Sequence, residues 1–284
     1  MIRTVLIVLI QFFVISAFAQ KNPAYQLYNA KGKKVSYNKM VRKLKKADII
    51  LFGEQHNNPI SHWLQLELTN SLHDERDLIL GAEMVERDDQ PYFDQYLSGE
   101  INQDGLDSLA RLWRNYHTDY APIVDFAKEN DILFIGTNIP RRYASMVYRG
   151  GFEALDTLPD NEKTWIASLP IPYDPQLPGY VKMLEMGGVH GGENLPKAQA
   201  IKDATMAESI HGNYEEDHLF IHFNGSYHSD HYEGILWYLR LLDPERDYRT
   251  ITTVSQNDVT KLEDQYKRRA DFIICVPENM TKTY

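Results

Sequence analysis

The chain has 284 residues, with 40 acidic and 30 basic side chains and a formal net charge of −10 at pH 7. This negative balance argues against a nucleic-acid partner and against binding to an anionic membrane surface. The length suits one domain, or one domain with an insertion. The single cysteine, Cys275, excludes an internal disulfide, so packing has to stabilise the fold.

The chain begins with a pattern typical of a secretory signal peptide. The positive charge of Arg3 precedes the apolar run Val5–Ile15, and residues 17–19 (Ala-Phe-Ala) form a cleavage site of the A-x-A type. The apolar run is too short to span a membrane. We therefore expect residues 1–19 to be removed on export and Gln20 to begin the mature chain. No cysteine lies near the cleavage site, so the lipobox of a lipoprotein is absent.

Strands and helices alternate through the first half of the mature chain. Apolar runs that end in Gly or Glu predict strands at Asp48–Gly53, Leu78–Glu83 and Ile132–Gly136. A short hairpin is predicted within Tyr25–Val35. Helical patterns and capping residues predict helices at Tyr37–Lys46, Gln90–Leu97, Leu106–Trp113 and Pro122–Glu129, and a further helix that begins after Ser61 and ends near His73.

A long interval, Thr137–Asp217, contains no predicted strand. It includes a helix at Ala198–His211 and a Gly-rich loop at Gly187–Glu193. Because long structureless loops are rare inside domains, the interval is predicted to be a helical lid inserted at the carboxyl edge of the sheet. The remaining strands are predicted at His218–Phe223, Tyr248–Val254 and Phe272–Val276.

Buried strands that alternate with helices indicate an α/β fold, with a mostly parallel sheet covered by helices on both faces. The predicted organisation is a single α/β domain over residues 20–276, with the lid at 137–217, followed by a flexible tail at 277–284.

The stretch Leu219–His231 carries the strongest local signal. Its apolar run breaks at Asn224-Gly225, and Tyr227, His228 and His231 follow. Asp230 and Glu233 predict a capping box for the next helix. Open α/β sheets place their ligands at the carboxyl ends of strands beside helix N-termini. The histidines are therefore predicted to serve function rather than to be ordinary loop residues.

Four predicted strands deliver chemically active side chains at their carboxyl ends. Gly53-Glu54-Gln55-His56 follows the first, Gly81-Ala82-Glu83 the second, Asn138-Ile139-Pro140-Arg141 the third and Gly225-Ser226-Tyr227-His228 the fourth. In a parallel sheet these ends share one edge, so we expect His56, Glu83 and His228 to meet in one cleft.

Two chemistries suit these side chains. His56, Glu83 and His228 could hold Zn²⁺, Mn²⁺ or Co²⁺. The same three residues could instead perform metal-free acid–base catalysis, with Arg141 binding an anionic group. The His-Glu-x-x-His spacing, the Gly-x-Ser-x-Gly elbow and a phosphate loop are all absent from the sequence.

These motifs, together with Ala198-Gln199 and Asp203-Ala-Thr-Met206-Ala, resemble the ChaN-like haem-binding family of the Tiki/TraB/erythromycin-esterase superfamily. The resemblance spans Tyr25–Val276 and rests on the order and spacing of the motifs. It implies an α/β sheet with a helical lid in a periplasmic protein of haem or iron uptake. Relatives in the superfamily imply an alternative function, a metal-dependent peptidase or esterase in which His56, Glu83 and His228 are catalytic.

The resemblance also implies haem as the cofactor, with an outer-membrane uptake system as a candidate partner. A second copy of the chain is a further candidate partner, because an exposed haem face is a large apolar patch that a second copy could cover. The site would be non-covalent, since no Cys-x-x-Cys-His sequence exists. Haem needs an axial His or Tyr and an apolar slot. His190 and the lid residues Tyr173 and Tyr180 are candidate ligands, and Arg141 is a candidate partner of the propionates. The predicted cofactor-binding residues are Glu54, His56, Glu83, Arg141, His190, Tyr227 and His228.

Overall fold

The computed structural model describes residues 23–284, except the side chains of residues 186–191. The predicted signal peptide at residues 1–19 lies outside this range. The described chain contains seven strands: β1 (Gln26–Asn29), β2 (Ile49–Glu54), β3 (Leu78–Glu86), β4 (Leu133–Asn138), β5 (Leu219–Gly225), β6 (Tyr248–Gln256) and β7 (Phe272–Pro277).

Within the same range, ten α-helices connect and cover these strands. They are α1 (Tyr37–Leu44), α2 (Pro59–His73), α3 (Gln90–Leu97), α4 (Gln103–Leu109), α5 (Ala121–Glu129), α6 (Arg141–Gly150), α7 (Asp160–Lys163), α8 (Pro178–Gly191), α9 (Leu195–Asn213) and α10 (Ile235–Leu242). Local sequence explains several helix starts. Ser36 caps α1, while Asn58 caps α2 ahead of a proline at the first helical position.

The seven strands form one sheet in the order β1-β7-β6-β2-β5-β3-β4. All neighbouring pairs are parallel except β1 and β7. The predicted fold class, α/β with a mostly parallel sheet, is confirmed. The central strands β2 and β5 are fully buried, as continuous apolar runs predict for a sheet covered on both faces.

Alternate residues of the strands face two separate hydrophobic layers. Phe52 and Phe223 pack in the layer that includes helices α1, α2 and α5. Leu51 and Phe220 pack in the opposite layer with α6, α9 and α10. This alternation follows from the period of two in a strand, and it fixes which side chains can reach the sheet edge.

Pairing between strands sets the functional edge. β2 and β5 pair with Glu54 opposite Gly225, while β5 and β3 pair with Phe223 opposite Ala82. The carboxyl ends of β2, β3 and β5 therefore lie side by side. The motifs that follow these strands are brought together by register rather than by long loops.

Several predicted elements differ from the observed ones. Strand β1 pairs with β7, and Tyr28 forms only an isolated bridge with Lys34 instead of a hairpin ladder. Within Gly187–Glu193, predicted as a loop, residues up to Gly191 continue helix α8. The predicted helix at Leu106–Trp113 ends at Leu109. Local propensity alone does not decide such short segments, because tertiary packing overrides it.

The predicted capping box before α10 does not form. The Asp230 carboxylate accepts hydrogen bonds from Thr252 and from Arg269, at 3.1 Å. Gly234, with φ of +56°, precedes the helix instead. Asp230 is therefore used to anchor the turn to β6 rather than to cap α10.

The segment between β4 and β5 contains helices α6 to α9 and no strand, with Thr137 itself inside β4. The lid and the domain boundaries stay predictions, as does flexibility of the tail. In the structure Thr283 of that tail bonds to Asn57 and Asp119. Within the described residues, no helix is long and apolar enough to cross a membrane.

Candidate functional site

Glycines at the sheet edge allow the two Gly-x-x-His motifs to interlock. A Cβ on Gly225 would lie 2.8 Å from both Cε1 and Nε2 of His56 and 3.5 Å from Glu83 Oε2. A Cβ on Gly53 would lie 3.1 Å from the Cα of Ser226. Each glycine thus leaves space for the other motif. A side chain at either position would collide with that motif, which explains why both motifs begin with glycine.

His56 forms a dyad with Glu54 at the end of β2. Its Nδ1 lies 2.8 Å from Glu54 Oε1, so Nδ1–H donates and Nε2 is left towards the cleft. The imidazole is 36% exposed, and its ring packs edge-on against Trp113 at 4.9 Å between centroids. An oriented imidazole with one nitrogen in a cleft has the geometry of a general base.

Three further side chains hold the Glu54 carboxylate in place. Tyr120 donates its hydroxyl to Oε1 at 2.7 Å, and Gln65 donates its amide to Oε2 at 2.6 Å. His62 Nδ1 lies 3.6 Å from Oε2. Glu54 is fully enclosed by donors, so it remains an anion although it is buried.

Burial and hydrogen bonding act in opposite directions on this dyad. Burial acts to raise the pKa of Glu54, but the hydrogen bond from His56 and the neighbouring imidazoles outweigh it and lower the pKa. Burial acts to lower the pKa of His56, but the Glu54 hydrogen bond and the Glu83 charge raise it. Glu54 therefore makes the imidazole a stronger base than a free histidine, and its bond to Nδ1 leaves Nε2 as the nitrogen that exchanges a proton with the cleft.

His228 is held between two carboxylates below the cleft. Its Nδ1 lies 2.5 Å from Asp203 Oδ1, and its Nε2 lies 3.1 Å from Glu83 Oε1. The backbone N–H of Gly225 donates to the other Glu83 oxygen at 2.7 Å. Both ring nitrogens thus face carboxylate oxygens, which is the arrangement of an imidazolium rather than of a base. Gln199, whose amide nitrogen lies 2.8 Å from Nδ1, then turns its amide oxygen towards the ring as a further acceptor.

The charges in this cluster follow from that arrangement. Burial disfavours the imidazolium, but Glu83 and Asp203 raise the pKa of His228 to about 9. Burial acts to raise the pKa of Glu83, but the His228 charge holds it well below its usual range. Burial raises the pKa of Asp203 despite His228. At neutral pH His228 is a buried cation paired with ionised Glu83.

A cleft of about 870 Å³ opens above these residues. His56, Glu83 and His228 line its floor, and cationic side chains line its mouth. The cations are Arg111, Arg114, Arg141, Arg142 and Lys202. This is a local positive surface on a chain whose formal charge is −10, and it favours an anionic ligand.

The structure brings together four of the seven predicted cofactor-binding residues along the cleft: His56, Glu83, Arg141 and His228. Glu54 lies behind His56 as its hydrogen-bond partner. Tyr227, which is 57% exposed, lines a separate small cavity beside Tyr180. The side chain of His190, in helix α8, lies outside the described residues.

The predicted metal ligands His56, Glu83 and His228 do not form a compact donor set. Among the described residues, one group of three acidic or metal-binding side chains has donor atoms within 4.8 Å of one another, and it is Glu86, Asp88 and Asp89. Arg111 contacts all three of these carboxylates. The metal role of the cleft histidines stays a prediction, and carboxylates at both His228 nitrogens do not favour it.

Sequence reasoning did not assign several side chains that shape the site. Asp203 and Gln199 are four residues apart on α9 and both contact His228, with Gln199 Nε2 2.8 Å from Nδ1. Their i,i+4 spacing places them on one helix face, which was an available signal. Tyr120 and Trp113 gave no local signal, since only the tertiary fold brings them to Glu54 and His56.

Comparisons with known proteins agree with this architecture. A family model described as haem-binding uptake, Tiki superfamily, ChaN matches residues 40–239. ChaN of Campylobacter jejuni, whose structure is described as showing cofacial haem binding, has a TM-score of 0.66 at 17% identity, covering 89% of this chain and 97% of that chain. No curated protein matches the sequence.

Two more solved structures share the fold. An erythromycin esterase mutant in its open conformation has a TM-score of 0.52 at 10% identity, covering 92% of this chain and 98% of that chain. A protein from Bacillus cereus has a TM-score of 0.50 at 12% identity, covering 89% of this chain and 94% of that chain. At these identities the likeness is one of fold.

Proposed function

Because the chain belongs to the haem-binding uptake family of the Tiki superfamily that includes ChaN, we propose that it binds haem non-covalently and serves haem or iron uptake. The observation that carries the proposal is the family match over residues 40–239, which contains His56, Glu83, Arg141 and His228. The signal-peptide pattern at residues 1–19 supports a periplasmic location. An outer-membrane uptake system and a second copy of the chain are the partners that we propose for this role.

The described tyrosines differ in their fitness as an axial ligand. Tyr180 is buried, donates its hydroxyl to Asp203 at 3.3 Å, and has its pKa raised by burial, so it does not suit iron. Tyr173 is half-buried and stacks on Tyr180 at 5.7 Å between centroids. Tyr227 is exposed and borders a cavity that Met183 also lines. Tyr227 is therefore the axial ligand that we propose from the described side chains.

The side chains near Tyr227 suit the other two parts of haem, its apolar porphyrin face and its anionic propionates. Leu184, one residue beyond Met183 in helix α8, is 46% exposed and offers apolar surface for a porphyrin face. Arg141 and Lys202 at the mouth of the neighbouring cleft offer cations for the propionates. Bound haem would supply an iron centre, and the residues named here would hold it.

A variant series tests this assignment. Haemin is titrated into the mature protein, and the Soret band is followed for wild type, Tyr227→Phe and Tyr173→Phe. We expect Tyr227→Phe to shift the band and weaken binding at least ten-fold, because the iron loses its oxygen ligand. Tyr173→Phe is the matched control and should behave as wild type. An unchanged band in Tyr227→Phe would refute the ligand, and His190→Ala would then be the next variant.

One specific observation favours a second function, hydrolysis. His56 presents Nε2 to the cleft while Glu54 fixes its other nitrogen, as in a general base that activates water. Hydrolysis of ester and peptide substrates is measured with and without added Mn²⁺, Co²⁺ or Zn²⁺. Activity that falls at least 100-fold in His56→Ala, whatever metal is added, would establish this function. Equal rates in wild type and His56→Ala would exclude it.

A further inference from the structure

Two buried amide oxygens in the wall of the cleft have no hydrogen-bond partner. Among the described residues, Asn115 Oδ1 and Asn138 Oδ1 belong to the few buried side-chain atoms left unpaired. Both residues line the cleft, and their exposed fractions are 5% and 8%. Buried polar atoms in native proteins are rarely left without a partner, so we expect water or a ligand group that enters from the cleft to donate to these two oxygens.

The orientation of both amides is fixed by their other contacts. Asn115 Nδ2 donates to the His56 carbonyl at 2.9 Å and to Asp119 Oδ2 at 2.6 Å. Asn138 Nδ2 donates to the Glu83 carbonyl at 3.0 Å. Turning either amide round would place its oxygen against another oxygen. The unpaired atoms are therefore acceptors, and they require N–H or O–H groups.

The cations at the mouth of the cleft require an anionic group on the ligand. Arg111 and Arg142 already bond to Asp88. Arg141 and Lys202 have no ion pair with any carboxylate in the described part of the chain. The two carboxylates that line the cleft do not offset these cations, because Glu83 pairs with the His228 imidazolium and Glu86 pairs with Arg111. A ligand of this cleft therefore meets cations at the mouth and acceptors in the wall.

We propose that the cleft binds a small organic anion that carries its own hydroxyl or amide N–H donors. Its carboxylate or phosphate would lie on Arg141 and Lys202, and its donors would reach Asn115 and Asn138 within range of His56. Ionised haem has no donors for these amides, so this ligand is chemically distinct from haem. The proposal does not depend on haem binding, but both ligands would use Arg141 and Lys202, so they would compete for these cations. It rests on the hydrolytic function proposed above in one respect, because it names a substrate class for that function.

Matched probes test the proposal by calorimetry on the mature protein. Glycerol 3-phosphate is compared with propyl phosphate, and glycerate with propionate, so that each pair differs only in hydroxyl groups. Glycerol serves as the uncharged control. We expect the hydroxyl-bearing anion of at least one pair to bind at least ten-fold more tightly than its partner, and glycerol not to bind. The two pairs also distinguish a phosphate from a carboxylate ligand.

Variants locate the binding. Arg141→Gln should weaken anion binding at least five-fold, whereas Arg149→Gln, at the far end of the same helix, should have no effect. Asn138→Leu should abolish the preference for hydroxyl groups. If Asn138→Leu does not fold, the surface variant Lys202→Gln still tests where the anionic group binds. Absence of binding by every probe, equal binding within both pairs, or unchanged binding in Arg141→Gln would overturn the proposal. Haemin binding is measured separately, so either idea can fail alone.

Discussion

The buried His228 cation makes the stability of the protein depend on pH in a specific direction. The folded state raises the pKa of His228 from 6.5 to about 9. Because the folded pKa is above the unfolded one, the stabilisation is fully present below pH 6.5 and is lost as the pH rises through 9. A difference of about 2.5 pKa units corresponds to roughly 3 kcal/mol of unfolding free energy.

Urea unfolding followed by circular dichroism measures this effect. We expect the unfolding free energy of wild type to fall by roughly 3 kcal/mol between pH 6.5 and pH 9.5. In His228→Gln this fall should disappear, apart from a smaller contribution of the same sign from His56, which is partly exposed and therefore screened. Asp203→Asn should move the fall to lower pH, because one of the two carboxylates that raise the pKa is gone.

The control is the comparison between pH profiles rather than between absolute stabilities. His228→Gln is expected to be less stable than wild type at every pH, because it leaves Glu83 and Asp203 without their shared cation. A profile of His228→Gln that falls as steeply as that of wild type would refute the assignment of His228 as a buried imidazolium.

Three further predictions follow from the same contacts. Gly225→Ala should displace the His56 ring, seen as a changed His56 imidazole resonance in NMR, and cost about 1–3 kcal/mol in urea unfolding; an unmoved ring would contradict the interlock. Burial lowers the pKa of His222 to about 4, so this imidazole stays neutral in the folded state at neutral pH. The free energy of unfolding should therefore fall by about 3 kcal/mol as the pH drops from 6.5 to 4. His222→Gln should lack this part of the fall. Tyr120→Phe removes one donor from buried Glu54 and should cost about 1.5–3 kcal/mol in the same assay, whereas no loss would show that the Tyr120 bond is unimportant.

Local sequence patterns were sufficient to predict the central strands and the functional residues at their carboxyl ends. The run Leu219–Phe223 is apolar throughout and breaks at Gly225, which is why both the strand and its exit could be predicted. His56, Glu83, Arg141 and His228 follow such exits, and parallel pairing places them along one cleft. This inference needed only the rule that parallel strands end at the same edge.

The partners of those residues depended on tertiary contacts that no local pattern encodes. Asp203 reaches His228 from 25 positions earlier in the chain, and Tyr120 reaches Glu54 from 66 positions later. The protonated state of His228 follows from this enclosure, so it was equally inaccessible from sequence. Helix α8 continues through Gly187 and Gly188, where glycine's low helix propensity favoured a loop.

The measurement that tests the central claim most directly is a haemin titration of the wild-type mature protein at neutral pH, followed by absorbance and by separation of bound from free haemin. Membership of the haem-binding uptake family and the exposed Tyr227 beside a cation-lined cleft predict a saturable, shifted Soret band with a defined stoichiometry. A spectrum that remains that of free haemin, with no haemin retained by the protein, would contradict the proposed function.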